Sequence, residues 1–342
     1  MGKCYGNILS PVGLKLPLDI ELLYGNIVKK TENAKKTVLE IGFGNGEYTV
    51  KWAANNPDSL IIGLEISFSC VERCARRSGE ASLSNLVMIC ADARFMMKEL
   101  FADESLDMVI MNFPCPWPKT RHAKYRVTAK EFADSLAAIL KTGGVFELVT
   151  DEEWYAAEVQ KTLSLHEALS VLGLEKNFSH PCALTTKYER KWQEMGKMIT
   201  RLTVTKTKEF TIDRRTWGYD FFLENEEGAA LHIKTGKPLP ENDMPILTRA
   251  SGAREDARWA FKGCYVACDH AEGAEDCKND KKNKYFLVET VVSDDEFEQR
   301  CYLRVVERDG NTIVKLDGTA KVFLTPAVRF AVEDLARRLA GS

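Results

Sequence analysis

No apolar run in these 342 residues approaches the about 20 residues that a membrane-spanning helix needs, so no bilayer span is expected. The N-terminus lacks a charged stretch followed by an apolar one, so export is not expected and a cytoplasmic location is. Neither sign of charge dominates. The net charge is −3, with 25 basic against 25 acidic residues up to Val204 and 22 against 25 after it. Such a balance advertises no polyanionic partner globally, and any contact of that kind must rest on local clusters. No internal repeat is present. The ten cysteines are scattered, the usage of a reducing compartment, and Cys70, Cys74 and Cys90 read as buried small residues.

What is present is an ordinary globular composition, 45% apolar and 28% charged, in a chain long enough for two domains of unequal size. From Thr37 to about Leu202, short apolar runs alternate with amphipathic stretches, as βαβ units around a parallel sheet do. Strands are expected at Val38–Ile41, Leu60–Leu64, Leu86–Cys90, Met108–Met111, Val145–Val149 and Met198–Val204. Helices are expected at Glu47–Asn55, Cys70–Glu80, Phe95–Leu100, Lys130–Leu140 and Glu153–Leu172, with Gly143-Gly144 ending one helix and opening the next strand. A short helix is expected within Leu16–Tyr24. After Val204 the turn signals Asp309-Gly310-Asn311 and Asp317-Gly318 separate runs rich in Val, Ile, Phe and Tyr, an antiparallel meander. Thr325-Pro326 then opens a helix with an apolar stripe over Ala327–Leu339. Gly228–Gly252, with its prolines, reads as a linker or long loop. The fold expected is α/β, a doubly wound and mostly parallel sheet, with an appended α+β domain: residues 1–36 an extension, 37–206 the α/β domain and 207–342 the accessory domain.

The run Val38–Ile41 leads into Gly42-Phe-Gly44-Asn-Gly46 and a helix, a turn that lets a ligand approach the backbone closely. The dinucleotide pattern Gly-x-Gly-x-x-Gly is absent, and Glu40 would repel a pyrophosphate at the helix N-terminus. S-adenosylmethionine (SAM) has no phosphate but carries an ammonium and a sulfonium, which a carboxylate beside the turn suits. Glu65 ends the second strand, where it can accept from ribose hydroxyls, and Asp92 follows the third, placed for an adenine amino group. The three carboxylates at successive strand ends point together to SAM, more than any one does alone.

The fourth strand runs into Asn112-Phe-Pro-Cys-Pro-Trp-Pro-Lys119-Thr-Arg121-His122-Ala-Lys124-Tyr-Arg126. Prolines 114, 116 and 118 fix φ and push their predecessors toward extended backbone, so the segment is a stiff exposed turn. It lies at the carboxyl end of a strand, where open α/β sheets bind ligands. No Asp or Glu occurs between Asn112 and Lys130, while Lys119, Arg121, Lys124, Arg126 and His122 offer positive charge. Such a loop suits phosphates.

Glu40-Ile-Gly-Phe-Gly-Asn-Gly, the Pro-x-Pro-Trp-Pro-Lys-x-Arg-His-x-Lys-x-Arg loop, Thr150-Asp151 and Thr186-Lys-Tyr-Glu189 occur in the order found in bacterial tRNA (guanine-N7)-methyltransferases. Over about residues 17–204 the chain resembles that family. The resemblance implies methyl transfer from SAM to guanine N7 in the variable loop of tRNA, by a monomer or homodimer. It implies that Glu40, Gly42, Gly44, Gly46, Glu65, Asp92, Ala93 and Asn112 bind SAM. It further implies that Lys119, Asp151, Thr186, Lys187, Tyr188 and Glu189 line the substrate site, and that Arg121, His122, Lys124 and Arg126 touch RNA. Where the family has an active-site Asp between the first two prolines, this chain has Cys115. Guanine N7 loses no proton on methylation, so the step needs alignment and electrostatics more than a base. Asp151 and Glu189 are expected to supply the negative field that Cys115 does not. Two other readings stay open: a catalytically silent SAM- or tRNA-binding module, and a cytosine-C5 RNA methyltransferase with Cys115 as nucleophile.

Cys264, Cys268, His270 and Cys277 have enough donors for a four-coordinate zinc. The first two also read as neighbours on one strand face, and that reading is preferred, so no metal is expected. The tail could hold an arm of tRNA through a patch such as Lys278–Lys284, make a dimer contact, or steady the first domain.

Overall fold

The computed structural model describes residues 7–12, 14–27, 36–119, 126, 129–181, 184–214, 232–239, 250–268, 284–295, 297–318 and 322–341. The chain divides into two units, Met1–Arg215 and Thr216–Ser342. The first begins with Asn7–Leu9 (β1), Ile20–Ile27 (α1), Thr37–Ile41 (β2), Glu47–Asn55 (α2), Leu60–Glu65 (β3), Phe68–Glu80 (α3), Leu86–Cys90 (β4) and Ala93–Leu100 (α4). It continues with Leu106–Asn112 (β5), Lys130–Ile139 (α5), Leu140–Thr150 (β6), Glu153–Ser164 (α6), Leu169–Lys176 (β7), Lys187–Glu194 (α7) and Thr200–Lys206 (β8).

The strands form one sheet in the order β1-β4-β3-β2-β5-β6-β8-β7. Pairing is parallel from β1 through β6, and β8 runs antiparallel to both β6 and β7. Neighbouring residues such as Val38 and Leu39, or Ile61 and Ile62, point to opposite faces and are all fully buried. That is why these strands read as unbroken apolar runs. Strand order reverses between β2 and β5, which makes their carboxyl ends the topological switch point of the sheet.

Four expectations are corrected. The helix expected over Glu153–Leu172 stops at Ser164, because Ala168 N–H donates to the His166 ring (3.2 Å) in a tight turn and the chain then pairs with β8 as β7. Gly143-Gly144 neither ends α5 nor opens β6; the pair lies inside β6, opposite a register shift between Leu106 and Met108. A Cβ at Gly144 would lie 2.8 Å from the Lys141 carbonyl oxygen, so the bulge excludes a side chain there. The short helix runs over Ile20–Ile27 rather than within Leu16–Tyr24, started by Asp19, whose carboxylate accepts the Leu22 N–H (2.8 Å). Within Gly228–Gly252, expected as linker or loop, residues 232–234 form a strand and Ser251 and Gly252 begin another; residues 228–231 and 240–249 lie outside the described residues.

The second unit contains His232–Lys234 (β9), Ser251–Arg254 (β10), Ala257–Cys268 (β11), Lys284–Asp294 (β12), Phe297–Arg308 (β13), Asn311–Leu316 (β14) and Pro326–Ala340 (α8). Its sheet is antiparallel throughout, in the order β10-β11-β12-β13-β14-β9. Helix α8 opens with Pro326 in its first turn and closes on left-handed Gly341 (φ 71°). Its Val328, Val332 and Leu335 share a core with Trp259, Phe261, Leu303 and Val314. The indole N–H of Trp259 donates to Asp334 (2.8 Å) inside that core. Among the described residues no helix is long and apolar enough to cross a membrane.

Candidate active site

Register puts five chain segments on one edge. Ile41 pairs with Leu64 and Met111, Glu65 with Cys90, and Asn112 with Val149. The glycine turn after β2, Glu65, Asp92, the proline loop after β5 and Asp151 after β6 therefore leave the sheet side by side.

In the glycine turn, Gly42, Gly44 and Gly46 all have φ between 56° and 75°, backbone that residues with a Cβ rarely adopt. Their surroundings differ. A Cβ at Gly46 would fall 2.2 Å from the Cys74 sulfur, so this glycine lets α2 start against α3, whereas Gly42 and Gly44 have open space on the Cβ side. Glu65 braces the turn: one carboxylate oxygen accepts the Gly44 N–H and the other the Ser67 N–H, both at 2.9 Å.

Glu40 lies beneath this turn and is almost wholly buried. It accepts from Thr49 Oγ1 (2.6 Å) and from Asn112 Nδ2 (3.4 Å). Burial pushes its carboxyl up to about 7, against the pull of those two hydrogen bonds. The Oδ1 atom of Asn112 is buried and meets no hydrogen-bond partner of normal geometry among the described residues. Asp92 caps α4 by accepting the Arg94 N–H (3.0 Å) and forms an ion pair with the Arg94 guanidinium (2.5 Å); Ala93 opens the helix.

The proline loop is strained and anchored at both ends. Phe113 and Trp117 sit at φ 51° and 46°, each costing on the order of 1–3 kcal/mol for a residue with a large side chain. Phe113 N–H donates to the Val149 carbonyl (2.7 Å), and its ring packs against the cluster of Val149, Phe178 and Ile199, as does Trp192. Arg126 closes the far end. Its guanidinium grips both oxygens of Glu158 on α6 (2.6 and 2.7 Å), donates to the carbonyls of Pro116 and Trp117, and lies over the Trp154 ring (5.1 Å). Arg126, expected to touch RNA, thus holds the loop. Cys115 and Lys119 are exposed at its tip, and Arg121, His122 and Lys124 lie outside the described residues.

Asp151 pairs with Lys197 (2.6 Å), and this hydrogen bond holds the Lys197 ammonium above its ordinary pKa. Lys197 also stands over the Trp192 ring (4.0 Å). Thr186-Lys-Tyr-Glu189 has the spacing of a capping box, and half of one forms: Thr186 Oγ1 accepts the Glu189 N–H (3.0 Å) at the start of α7. The Glu189 carboxylate turns instead to His180, accepting its backbone N–H and meeting Nδ1, both at 2.7 Å. Burial pushes the Glu189 carboxyl up, but the His180 and Ser179 hydrogen bonds outweigh it and hold the group below the usual range. Glu189 is fully buried, so its charge is spent on His180 and not on the open side of the site, contrary to the expected field at the base. Thr186 is buried and Tyr188 is 58% exposed; Lys187 begins α7. The segment is tied to the glycine-turn helix: Arg190 reaches Glu47 (2.8 Å) and Lys51 the Thr185 carbonyl (3.1 Å).

Glu158, His180 and Lys197 are the contributors that motif reading missed. Each acts through a contact between residues far apart in sequence, which no spacing signals. Of the zinc candidates, Cys264 is half-buried, Cys268 ends β11, and His270 and Cys277 lie outside the described residues. Burial raises the Cys264 thiol, as for a small core residue. Among the described residues no group of three His, Cys, Asp or Glu is arranged to hold a metal.

A family model described as "Putative methyltransferase" matches residues 34–202. A Thermotoga maritima protein named tRNA (guanine-N(7)-)-methyltransferase is 32% identical over 337 residues, covering 95% of this chain and 94% of that one. Proteins of the same name from Aquifex aeolicus and Thermus thermophilus are 27% and 30% identical, covering 91% and 88% of this chain and 97% and 88% of theirs. These alignments run through the second unit as well as the first, and the chain belongs to the tRNA (guanine-N(7)-)-methyltransferase family.

Proposed function

We propose that this chain transfers the methyl group of SAM to N7 of a guanine in the variable loop of tRNA. The observation that carries the reading is the meeting, at the switch point of the sheet, of an open glycine turn and a braced, cation-tipped proline loop. SAM is the cofactor, and when bound it supplies an electrophilic methyl group.

The residues present fit that cofactor. Gly42 and Gly44 leave the backbone open to a ligand. Glu65, with two of its lone pairs on the turn, keeps others for ribose hydroxyls. Asn112 Oδ1 is a buried acceptor that meets no donor of normal geometry among the described residues, suited to the cofactor ammonium, and Glu40 orients it by holding Nδ2. Asp92 remains our assignment for the adenine amino group.

Guanine N7 offers an in-plane lone pair and ends with a positive charge, so the chain must align the base and stabilise a cation without removing a proton. We assign the charge to Asp151, whose carboxylate Lys197 fixes in place. Lys119, Arg121, His122 and Lys124 would take phosphates, and the exposed ring of Tyr188 a splayed base. Cys115 is a free cysteine, exposed in the loop.

The test is incubation of the purified chain with methyl-labelled SAM and unmodified tRNA, followed by cleavage chemistry specific for N7-methylguanine. Label at a variable-loop guanine is expected. Binding of both partners with no transfer would contradict the proposal and leave a binding module.

A further inference from the structure

Helix α8 covers one face of the second unit's sheet, and the side chains on the opposite face have an uneven charge. Arg304 pairs across the sheet with Lys315 and Lys315 with His232, while Val306 pairs with Ile313 and Ile313 with Lys234. Residues two apart on a strand share a face. Arg300, Arg304 and Arg308 of β13, Lys315 of β14, and His232 and Lys234 of β9 therefore stand together, opposite the Leu303, Val305 and Val314 that pack beneath α8. Of the acidic side chains on this face, Glu289 meets the Tyr265 hydroxyl (3.2 Å) and Arg300 (3.4 Å), Asp317 meets Arg304 (3.1 Å), and Glu298 stands two residues before Arg300, at the end of β13 away from Arg308.

At the β9–β14 end of this face lies a depression of about 460 Å³ lined by His232, Lys234, Arg308 and Lys315, with Asp309 its one carboxylate. No ion pair among the described residues engages Lys234, Arg308 or Lys315. These cations are gathered although the sequence after Val204 is acidic on balance. Cations crowded on one surface repel one another, and a polyanion relieves that repulsion. Aromatic rings continue the face: Tyr265 and Tyr302, 51% and 39% exposed, meet edge to face with centroids 6.4 Å apart, and Arg304 lies over Tyr285 (3.7 Å). Rings beside cations are what unstacked bases and their phosphates use together.

We infer that this open sheet face binds the tRNA substrate, with Lys234, Arg308 and Lys315 on backbone phosphates. The inference rests on the tRNA reading above. The test measures affinity of the full chain for unmodified tRNA across a salt series, in the wild type and in the triple variant Lys234→Gln, Arg308→Gln, Lys315→Gln. Loss of three phosphate contacts is expected to weaken binding about tenfold or more and to lower the slope of log K against log salt by roughly 2–3. Each single substitution, at a surface position, is expected to lower the slope by about 1, which guards against misfolding of the triple variant. Wild-type slope and affinity in the singles and the triple would overturn the inference. Methyl transfer by the same preparations keeps the two readings apart. A wild type that transfers methyl beside a triple variant that binds normally refutes the surface alone. A wild type that binds with the expected slope and transfers nothing refutes the activity alone, and a wild type that binds no tRNA refutes both.

Discussion

Glu40 couples the cofactor turn to pH. Its carboxyl has a pKa of about 7 in the folded chain against 4.5 as the ordinary value. Below about pH 4.5 the group is protonated in both states. As pH rises from there to 7, the unfolded chain releases a proton that the folded chain keeps, so folding stability falls, by about 3 kcal/mol once both are ionised. Glu40→Gln is expected to remove that fall, so that relative to the wild type it is more stable at pH 8 than at pH 5 in urea unfolding. The same pH dependence in both proteins would show that Glu40 is not the buried titrating group. Asp151 and Cys115 make a second pair of expectations. Asp151→Ala is expected to lower kcat by roughly 10²–10³ while SAM affinity holds, the size of a lost electrostatic stabiliser; unchanged turnover contradicts the assignment. Cys115→Ala is expected to change turnover by no more than about threefold, because N7 chemistry needs no nucleophile from the protein. Abolished turnover and a trapped covalent adduct would instead identify Cys115 as a nucleophile.

At the scale of elements, the proline loop depends on a helix that its own sequence does not mention. Glu158 of α6 holds Arg126, and Arg126 holds the carbonyls of Pro116 and Trp117. A loop carrying two left-handed residues needs such support to keep one shape. Glu158→Ala is expected to lower kcat/KM for tRNA about tenfold, through misplacement of the loop, with little effect on SAM binding; steady-state kinetics with each substrate varied checks this, and unaltered tRNA kinetics contradicts it. The central strands were legible because burial on both faces makes them continuous apolar runs, as in Leu60-Ile-Ile-Gly-Leu. Strand β7 was not, since Leu169–Leu172 continues the apolar spacing of α6, and only pairing with β8 makes it extended. The Thr186-Lys-Tyr-Glu189 motif stood out in the sequence, but the partner of its carboxylate, His180, is placed by packing against Tyr48 and Phe178.

On the scale of the whole molecule, each unit has its own core. Leu335→Ala removes a fully buried side chain from the cluster around Trp259 and is expected to destabilise the second unit by about 2–5 kcal/mol. SAM affinity, which belongs to the first unit, is expected to stay as it is; titration calorimetry beside thermal unfolding checks both, and a lost SAM site contradicts the division. The meander and the helix start at Thr325-Pro326 could be read ahead from turn residues and the cap. The sign of the open sheet face could not, because its six basic side chains come from three strands spread over His232 to Lys315 and gather only through register. The most direct test of the central claim is transfer to tRNA whose variable-loop guanine is replaced by 7-deazaguanine, which keeps the base's shape and removes the accepting nitrogen. The account predicts undiminished tRNA binding and no methyl transfer at that position, with robust transfer to the unsubstituted control. Equal labelling of both tRNAs would contradict it and move the reaction to another atom.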